Sequence, residues 1–219
     1  MATVRKWSGV AVAMQSALGA AKTITAIAVD NTGVVTGTHD FSAGDYVVFD
    51  VLGTHQLNGR VFRVDSVSTT VSFVVEDVAG AALDMTGYGA FTSGTCQKIT
   101  FGTSITTATS MSASGGDFDF IDTTTIHDLI KSQIPGTANP LSYTFDNIWD
   151  PSDAGQIAMK TASDAQAKRA WKFTFGSGGP IMVTNGYVGF TGAPTGSAQD
   201  KIVAPASVTA HGAPTYYAS

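Results

Sequence analysis

Residues 185–219 read NGYVGFTGAPTGSAQDKIVAPASVTAHGAPTYYAS. Apolar and small polar residues alternate through GYVGF, and a Gly/Pro-rich turn follows. A second apolar run then leads to a tail carrying Pro205, Pro214, Tyr216 and Tyr217. Alternation at period two suits a strand with one face buried. The spacing predicts strand, turn, strand and an uncompacted terminal arm. Such an arm needs a surface to lie on, and the surface expected is another copy of the chain.

Working outward, Trp171, Phe173 and Phe175 alternate, GSGGP reverses the chain, and Ile181 to Thr191 supplies the partner strand of an antiparallel hairpin. Asp150-Pro151-Ser152-Asp153 opens a helix that carries Ile157 and Met159 as far as Ala167, after a strand LSYTFDNIW. Another helix is expected from Asp122. There Asp122 or Thr123 caps the free amides, Ile126, Leu129, Ile130 and Ile134 form one apolar stripe, and Pro135-Gly136 ends it. The Thr, Ser, Ala and Gly tract 102–116 reads as a loop that orders on docking. Earlier, YVVFDV, RVFRVDSV, TVSFVVE and QKITF alternate or run apolar at strand length, and Asn58-Gly59 supplies a left-handed turn. These segments make a small barrel or sandwich.

Composition bounds what such a chain can be. Its 219 residues, 43% of them hydrophobic, can bury a core in one large domain or two small ones. Only 13% are charged, against roughly 25% in an ordinary soluble domain. Much of the surface must then be Thr, Ser, Gly and Ala, which pack face to face without desolvating many charges. The net charge of −5 is uneven: residues 21–98 hold eight acidic against four basic side chains, the remainder nine against eight. A phosphate-gripping face needs clustered Lys and Arg, and only Arg5-Lys6 and Lys168-Arg169 are adjacent. The N-terminus imitates a secretion signal, with Arg5 and Lys6 before VAVAM and SALGAA. Trp7, Gly9, Gln15 and Ser16 interrupt that pattern, and a strand over 4–14 is the better reading. No stretch approaches the roughly 20 apolar residues of a membrane span.

No motif carries catalysis. Cys96 is the single cysteine, which excludes an intramolecular disulfide and a multi-thiolate metal site; it reads as an inert, half-buried thiol. His39, His55, His127 and His211 are scattered and read as surface or turn histidines. Asp117 and Asp119 could pair for acid–base work or bind calcium, yet alternation makes them one solvated strand face with Phe118 and Phe120 opposite. Gly176 to Gly179 lacks the Lys-Ser/Thr of a phosphate cradle and precedes a strand, and there is no Gly-x-Ser-x-Gly elbow. Neither an enzyme, a cofactor nor a metal is expected.

The order FIDTTTIHDLIKSQIPG, strand, DPSDAGQ, FTF hairpin, GYVGF, SAQDKIV and GAPTYY resembles the major tail tube protein of long-tailed, siphovirus-type phages. The resemblance covers roughly residues 1–20 and 99–219. Residues 21–98 resemble instead the small β-barrel of ubiquitin-activating enzymes, reused in phage structural proteins. His39, Phe41, Gly44, Asp45, Leu57, Asn58, Gly59, Arg60 and Phe62 carry that likeness, and no adenylating or thiol chemistry transfers.

The resemblance implies a mainly β fold, a tail-tube-type β-sandwich or barrel with a flanking α-helix, plus an inserted small all-β module at 21–98 outside the tube. It implies a structural virion protein, assembled in the host cytoplasm, whose homo-hexamer rings stack into a tube for DNA ejection. Partners implied are the tape measure protein, tail terminator and tip proteins, and viral DNA passing without specific binding, with no membrane. Arg5, Trp7, Asp122, Thr123, Thr124, Pro214, Tyr216 and Tyr217 are the expected assembly residues. A lumen rich in Lys or Arg would hold phosphates and stall passage, so an acidic or neutral lining is expected, with Asp117, Asp119 and Asp146 as candidates. The alternatives are a capsid decoration or head–tail joining protein, or a secreted carbohydrate-binding module stacking Trp7, Trp149 and Trp171 on sugars. Trp149 and Trp171 read more simply as core or interface aromatics.

Overall fold

The alternating runs of the C-terminal half form the centre of the molecule. A computed structural model describes residues 9–68 and 70–218 and assigns them eighteen strands and one helix. The first nine strands are β1 (Val10–Met14), β2 (Ala17–Leu18), β3 (Lys22–Ile24), β4 (Ala26–Ile27), β5 (Val34–Thr36), β6 (Tyr46–Leu52), β7 (Val61–Ser68), β8 (Ser72–Val75) and β9 (Ser93–Thr100). Then come β10 (Thr103–Ile105), β11 (Ala108–Ser114), β12 (Phe118–Asp122), β13 (Gln133–Ala138) and β14 (Ser142–Ile148). After α1 (Ala154–Asp164) follow β15 (Lys168–Phe175), β16 (Ile181–Phe190), β17 (Val203–Ala210) and β18 (Thr215–Tyr217). The fold is mainly β, as the sequence predicts.

The main sheet is antiparallel in the order β10-β1-β15-β16-β17-β14-β11. Residues Ile181 to Val183 of β16 pair with β15 on one side and with β18 on the other, on the edge that β17 occupies farther along. Trp171 and Phe173 of β15 are fully buried with Tyr143 and Phe145 of β14 and Met182 and Phe190 of β16. The helix α1 seals this core with Met159 and Ala162. Asp153 caps it, its carboxylate accepting the Gln156 N–H at 2.9 Å. The Gln156 side chain then donates to the Ile148 carbonyl at 2.6 Å and to Thr107 Oγ1 at 3.2 Å, fastening the helix to the sheet.

The second sheet runs β2-β9-β6-β7-β8-β5-β4, with β3 also on β9. The single run 22–27 pairs with β9 through β3 and with β5 through β4, so the sheet closes on itself as a small barrel. Period-two alternation turns Val47, Phe49 and Val51 of β6 inward, against Phe62, Phe73, Leu57 and Met85. Cys96 is buried in the same core and His39 stacks on Phe41 at 5.2 Å between centroids. The expectation of a surface or turn histidine is therefore corrected for His39. Its Nδ1 accepts the Phe41 N–H at 3.2 Å, and its ring fills core volume.

A third apolar cluster joins barrel and sheet: Val61 and Ile99 from one, Ala170, Val183 and Tyr217 from the other. The Tyr217 hydroxyl accepts the Arg63 N–H at 2.7 Å, and the Arg63 guanidinium lies 4.6 Å over the Tyr217 ring while pairing with Glu76. Burial pushes the Tyr217 hydroxyl pKa up. The Gly59 carbonyl accepts from Asn185 Nδ2 at 3.1 Å. Gly59 has φ of 71°, the left-handed turn predicted at Asn58-Gly59, and a Cβ there would come within 2.4 Å of the His211 ring.

Three expectations are overturned. The tail is not uncompacted: its surface is the same chain, because β18 extends the main sheet and Tyr217, 1% exposed, fills the junction. The tract 102–116 is not a loop but β10 and β11, whose β-branched Thr and small Ser and Ala suit a sheet edge. The helix expected from Asp122 to Pro135 is a hairpin of β12 and β13. Its Ile126, Leu129 and Ile130 meet no core, and an apolar stripe with nothing to pack on gives a helix no tertiary support. Asp122, Thr124 and Thr125 spend their side chains on local turns, which compete with helix.

Replacing Tyr217 with Ala should lower the unfolding free energy by about 3–5 kcal/mol, the cost of deleting a buried aromatic side chain. Replacing it with Phe should cost about 1 kcal/mol, for the hydrogen bond alone. Urea denaturation of the two variants measures both.

Candidate assembly interface

The hairpin of β12 and β13 leaves the main sheet between β11 and β14 as an arm. Its strand β12 spans 5 residues, which at roughly 3.3 Å each extend about 16 Å before the turns of the tip. The tip is tied internally. Asp122 Oδ1 accepts the Thr124 N–H at 2.8 Å, and Asp128 Oδ2 accepts the N–H and hydroxyl of Thr125 at 2.7 and 3.0 Å. The Thr123 N–H donates to the Ser132 carbonyl at 2.9 Å, and the Ser132 N–H to Thr124 Oγ1 at 3.0 Å. With the polar groups turned on one another, the apolar side chains face out: Ile126 is 96% exposed, Leu129 102% and Ile130 83%. Phe118, Phe120, Ile121 and Ile134 on the strands below are also exposed. An apolar patch of this kind marks an interaction surface.

A second apolar patch lies at the other end of the sheet. A groove of about 300 Å³ between α1 and the β16–β17 connection is lined by Trp149, Ile157, Phe190 and Gly192, with Lys160 its only charged lining residue. Trp149 Nε1 donates to the Gly192 carbonyl at 3.1 Å, which holds the indole as one wall. Ile148 and Ile202 are exposed next to it.

The main sheet also presents open edges and a polar face. Among the described residues both β10 and β11 pair on one side only, so each leaves a row of backbone groups without a strand partner there. Ser112, Thr144, Ser207 and Gly189 stand in register across β11, β14, β17 and β16, and the Ser112 and Thr144 hydroxyls are 2.7 Å apart. One register row away, Asp146 accepts from Ser110 Oγ at 2.9 Å.

The expected site residues are thus dispersed. Asp122, Thr123 and Thr124 meet in the arm tip; Pro214 immediately precedes β18, Tyr216 is its exposed middle residue, and Tyr217 is internal. Arg5 and Trp7 fall outside the described residues. Asp117 and Asp119 belong to the arm, where Asp119 accepts from Asn139 Nδ2 at 3.1 Å, while Asp146 lies on the sheet face. Trp171 is fully buried and has no face for a sugar. Of the exposed apolar set of the arm, Phe118 and Phe120 lie on a strand as their alternation predicts, whereas Ile126, Leu129, Ile130 and Ile134 have the helical spacing that predicts a helix. The triplet Thr123-Thr124-Thr125, β-branched throughout, was the signal against a helix. Among the described residues no group of three His, Cys, Asp or Glu could hold a metal ion. Burial pushes the Cys96 thiol up to about 12, which leaves it protonated and unreactive near neutrality.

The tip should respond to acid with a definite sign. Hydrogen bonds from the Thr124 hydroxyl and N–H hold the Asp122 carboxyl below its usual 3.8, and those from the Thr125 N–H and hydroxyl do the same for Asp128. A depressed folded pKa stabilises the tip above the ordinary carboxylate value and is lost as pH falls through the folded one. Hydrogen exchange at the Thr124 and Thr125 amides should show constant intrinsic-rate-corrected protection from neutrality down to about pH 4, and loss of protection only below it.

Comparison with known proteins places these features. No curated protein matches the sequence. Among solved structures, a chain of the tail of an empty GTA particle, obtained by helical refinement with C6 symmetry, aligns at 15% identity with a TM-score of 0.39. The alignment covers 61% of this chain and 91% of that one, and at that score nothing is carried over from it. The family model for the phage tail tube protein, TTP, matches residues 52–219, from the end of β6 through the second part of the barrel, the whole arm, α1 and β18. This chain belongs to the phage tail tube protein family.

Proposed function

We propose that this chain is the repeating subunit of a siphovirus-type tail tube, in which hexameric rings stack into a hollow conduit for DNA ejection. The observation that carries the reading is the arm: an internally tied tip with its apolar side chains turned to solvent, on a sheet whose β10 and β11 edges are open among the described residues. A lone monomer gains nothing from either feature, whereas copies that pair edges and bury tips remove both liabilities. The tape measure protein sets the length of such a tube, and terminator and tip proteins close its ends. The particle is assembled in the host cytoplasm.

The hydroxyl face of β11, β14 and β17 supports a place on the lumen. Serine, threonine and glycine with the one carboxylate of Asp146 offer DNA no cationic grip, so phosphates are neither bound nor strongly repelled. The closed barrel, most of it within residues 21–98, leaves no open sheet of comparable size among the described residues and fits the outside of the tube, as an inserted module. Asp117 and Asp119, on the arm, are proposed at subunit contacts or the lumen rim rather than with Asp146. Asp122, Thr123 and Thr124 act in assembly by shaping the tip, and Pro214 and Tyr216 by presenting the exposed side of β18.

Negative-stain microscopy of the concentrated protein should show rings or long hollow tubes; a persistent monomer at every concentration defeats the reading. Arginine at Thr144 or Asp146 should slow DNA ejection from particles whose tails look normal. Unchanged ejection from intact tails removes this face from the lumen.

A further inference from the structure

We infer that the barrel is hung on the main sheet as a hinged flap, with the two chain crossings at residues 15–16 and 101–102 as the hinge and residues 213–217 as the latch. The device belongs to the single chain and stands whether or not copies assemble.

The chain passes between the two bodies twice, and both crossings are short: Gln15 and Ser16 between β1 and β2, Phe101 and Gly102 between β9 and β10. They run side by side. The Ser16 N–H and hydroxyl both donate to the Thr100 carbonyl, at 2.9 and 3.1 Å, and a Cβ at Gly102 would lie 2.5 Å from Ser16 Oγ. Two short adjacent crossings define one line about which a body can turn.

The latch sits elsewhere. Arg60 Nε donates to the Ala213 carbonyl at 3.1 Å and Arg60 Nη2 to Thr215 Oγ1 at 3.4 Å, while Arg60 Nη1 stays tied to the Gln56 carbonyl of the barrel at 3.1 Å. The Arg63–Tyr217 and Gly59–Asn185 hydrogen bonds cross the junction on the same side. Hinge and latch lie three strand steps apart on either body, along β1-β15-β16-β18 in the sheet and β2-β9-β6-β7 in the barrel. At about 4.8 Å per step the separation is roughly 14 Å.

What lies between them is small. Among the described residues five buried apolar side chains make the junction, Val61, Ile99, Ala170, Val183 and Tyr217, against fourteen in the core of each body. A cleft of about 220 Å³, lined by Leu18, Val48 and Asn58 of the barrel and by Lys168, Asn185 and His211 of the other body, leaves the facing surfaces unpacked there. The smallest set of buried contacts opens first, so the junction parts while both cores stay folded.

Hydrogen exchange of the full chain tests the device. Arg60→Met removes both bonds to residues 213–215, and Arg60→Gln is too short to make the two together. The Arg63 N–H, which donates across the junction to Tyr217, reports opening; the amides of β6 and β9 report unfolding of the barrel. In both variants the Arg63 amide should exchange faster by about tenfold or more, the factor expected for losing a charge-assisted hydrogen bond, with the β6 and β9 amides unchanged. Arg60→Gln alone decides where Arg60→Met does not fold. An unchanged Arg63 rate in a folded variant removes the latch. Acceleration of Arg63, β6 and β9 amides in step makes barrel and junction one cooperative unit and overturns the hinge.

Discussion

A strand edge is a row of donors and acceptors that must be paired or surrendered to water, and this chain meets that constraint in two opposite ways. In the barrel, one run of chain, residues 22–27, pairs with β9 at its beginning and β5 at its end, so among the described residues the sheet closes on itself, with the two-residue β2 pairing on β9 alone. In the main sheet, β10 and β11 each stop with one side unpaired. The barrel is a finished body, and the main sheet is one on which further strands can pair. The apolar arm leaves from beside the β11 edge, so the unpaired backbone and the unpaired apolar surface occur together.

The junction between these two bodies determines how independently they can act. Period two separates the adjacent tyrosines of β18: Tyr217 points into the junction, where Arg63 donates to its hydroxyl and covers its ring, and Tyr216 points out. Lys172 lies 5.3 and 5.1 Å over the rings of Tyr46 and Phe101 in the same region. Cation–π contacts and a buried hydroxyl bond make the C-terminal strand a clamp, so the barrel is held as part of one structure and not as a loosely tethered ornament.

Much of the fold was legible in particular residues. The aromatic alternation of Trp171, Phe173 and Phe175, the turn at 176–180, the cap at Asp153 and the left-handed turn at Asn58-Gly59 all appear where local pattern puts them. Their conformation is decided by nearest neighbours in the chain. The arm was misread for the converse reason: Ile126, Leu129, Ile130 and Ile134 have helical spacing, but spacing reports which side chains share a face and not whether anything lies against that face. The tract 102–116 was misread because Ser, Thr and Ala have no apolar period to show; a strand partner, β14 for β11, makes it a strand.

The sequence alone determined a β-rich chain of low charge, with no clustered cations, no nucleophile in an activating context and a single thiol, because these follow from residue identity and short-range spacing. Only the tertiary structure decided that the apolar run at 126–134 stands in solvent and that Tyr217 belongs to the chain's own junction. It also decided that one sheet closes while the other stays open. Those outcomes depend on which surfaces meet between residues far apart in the chain, as where Val10 of β1 pairs with Phe175 of β15 and Arg60 reaches Thr215, and no local pattern carries that information.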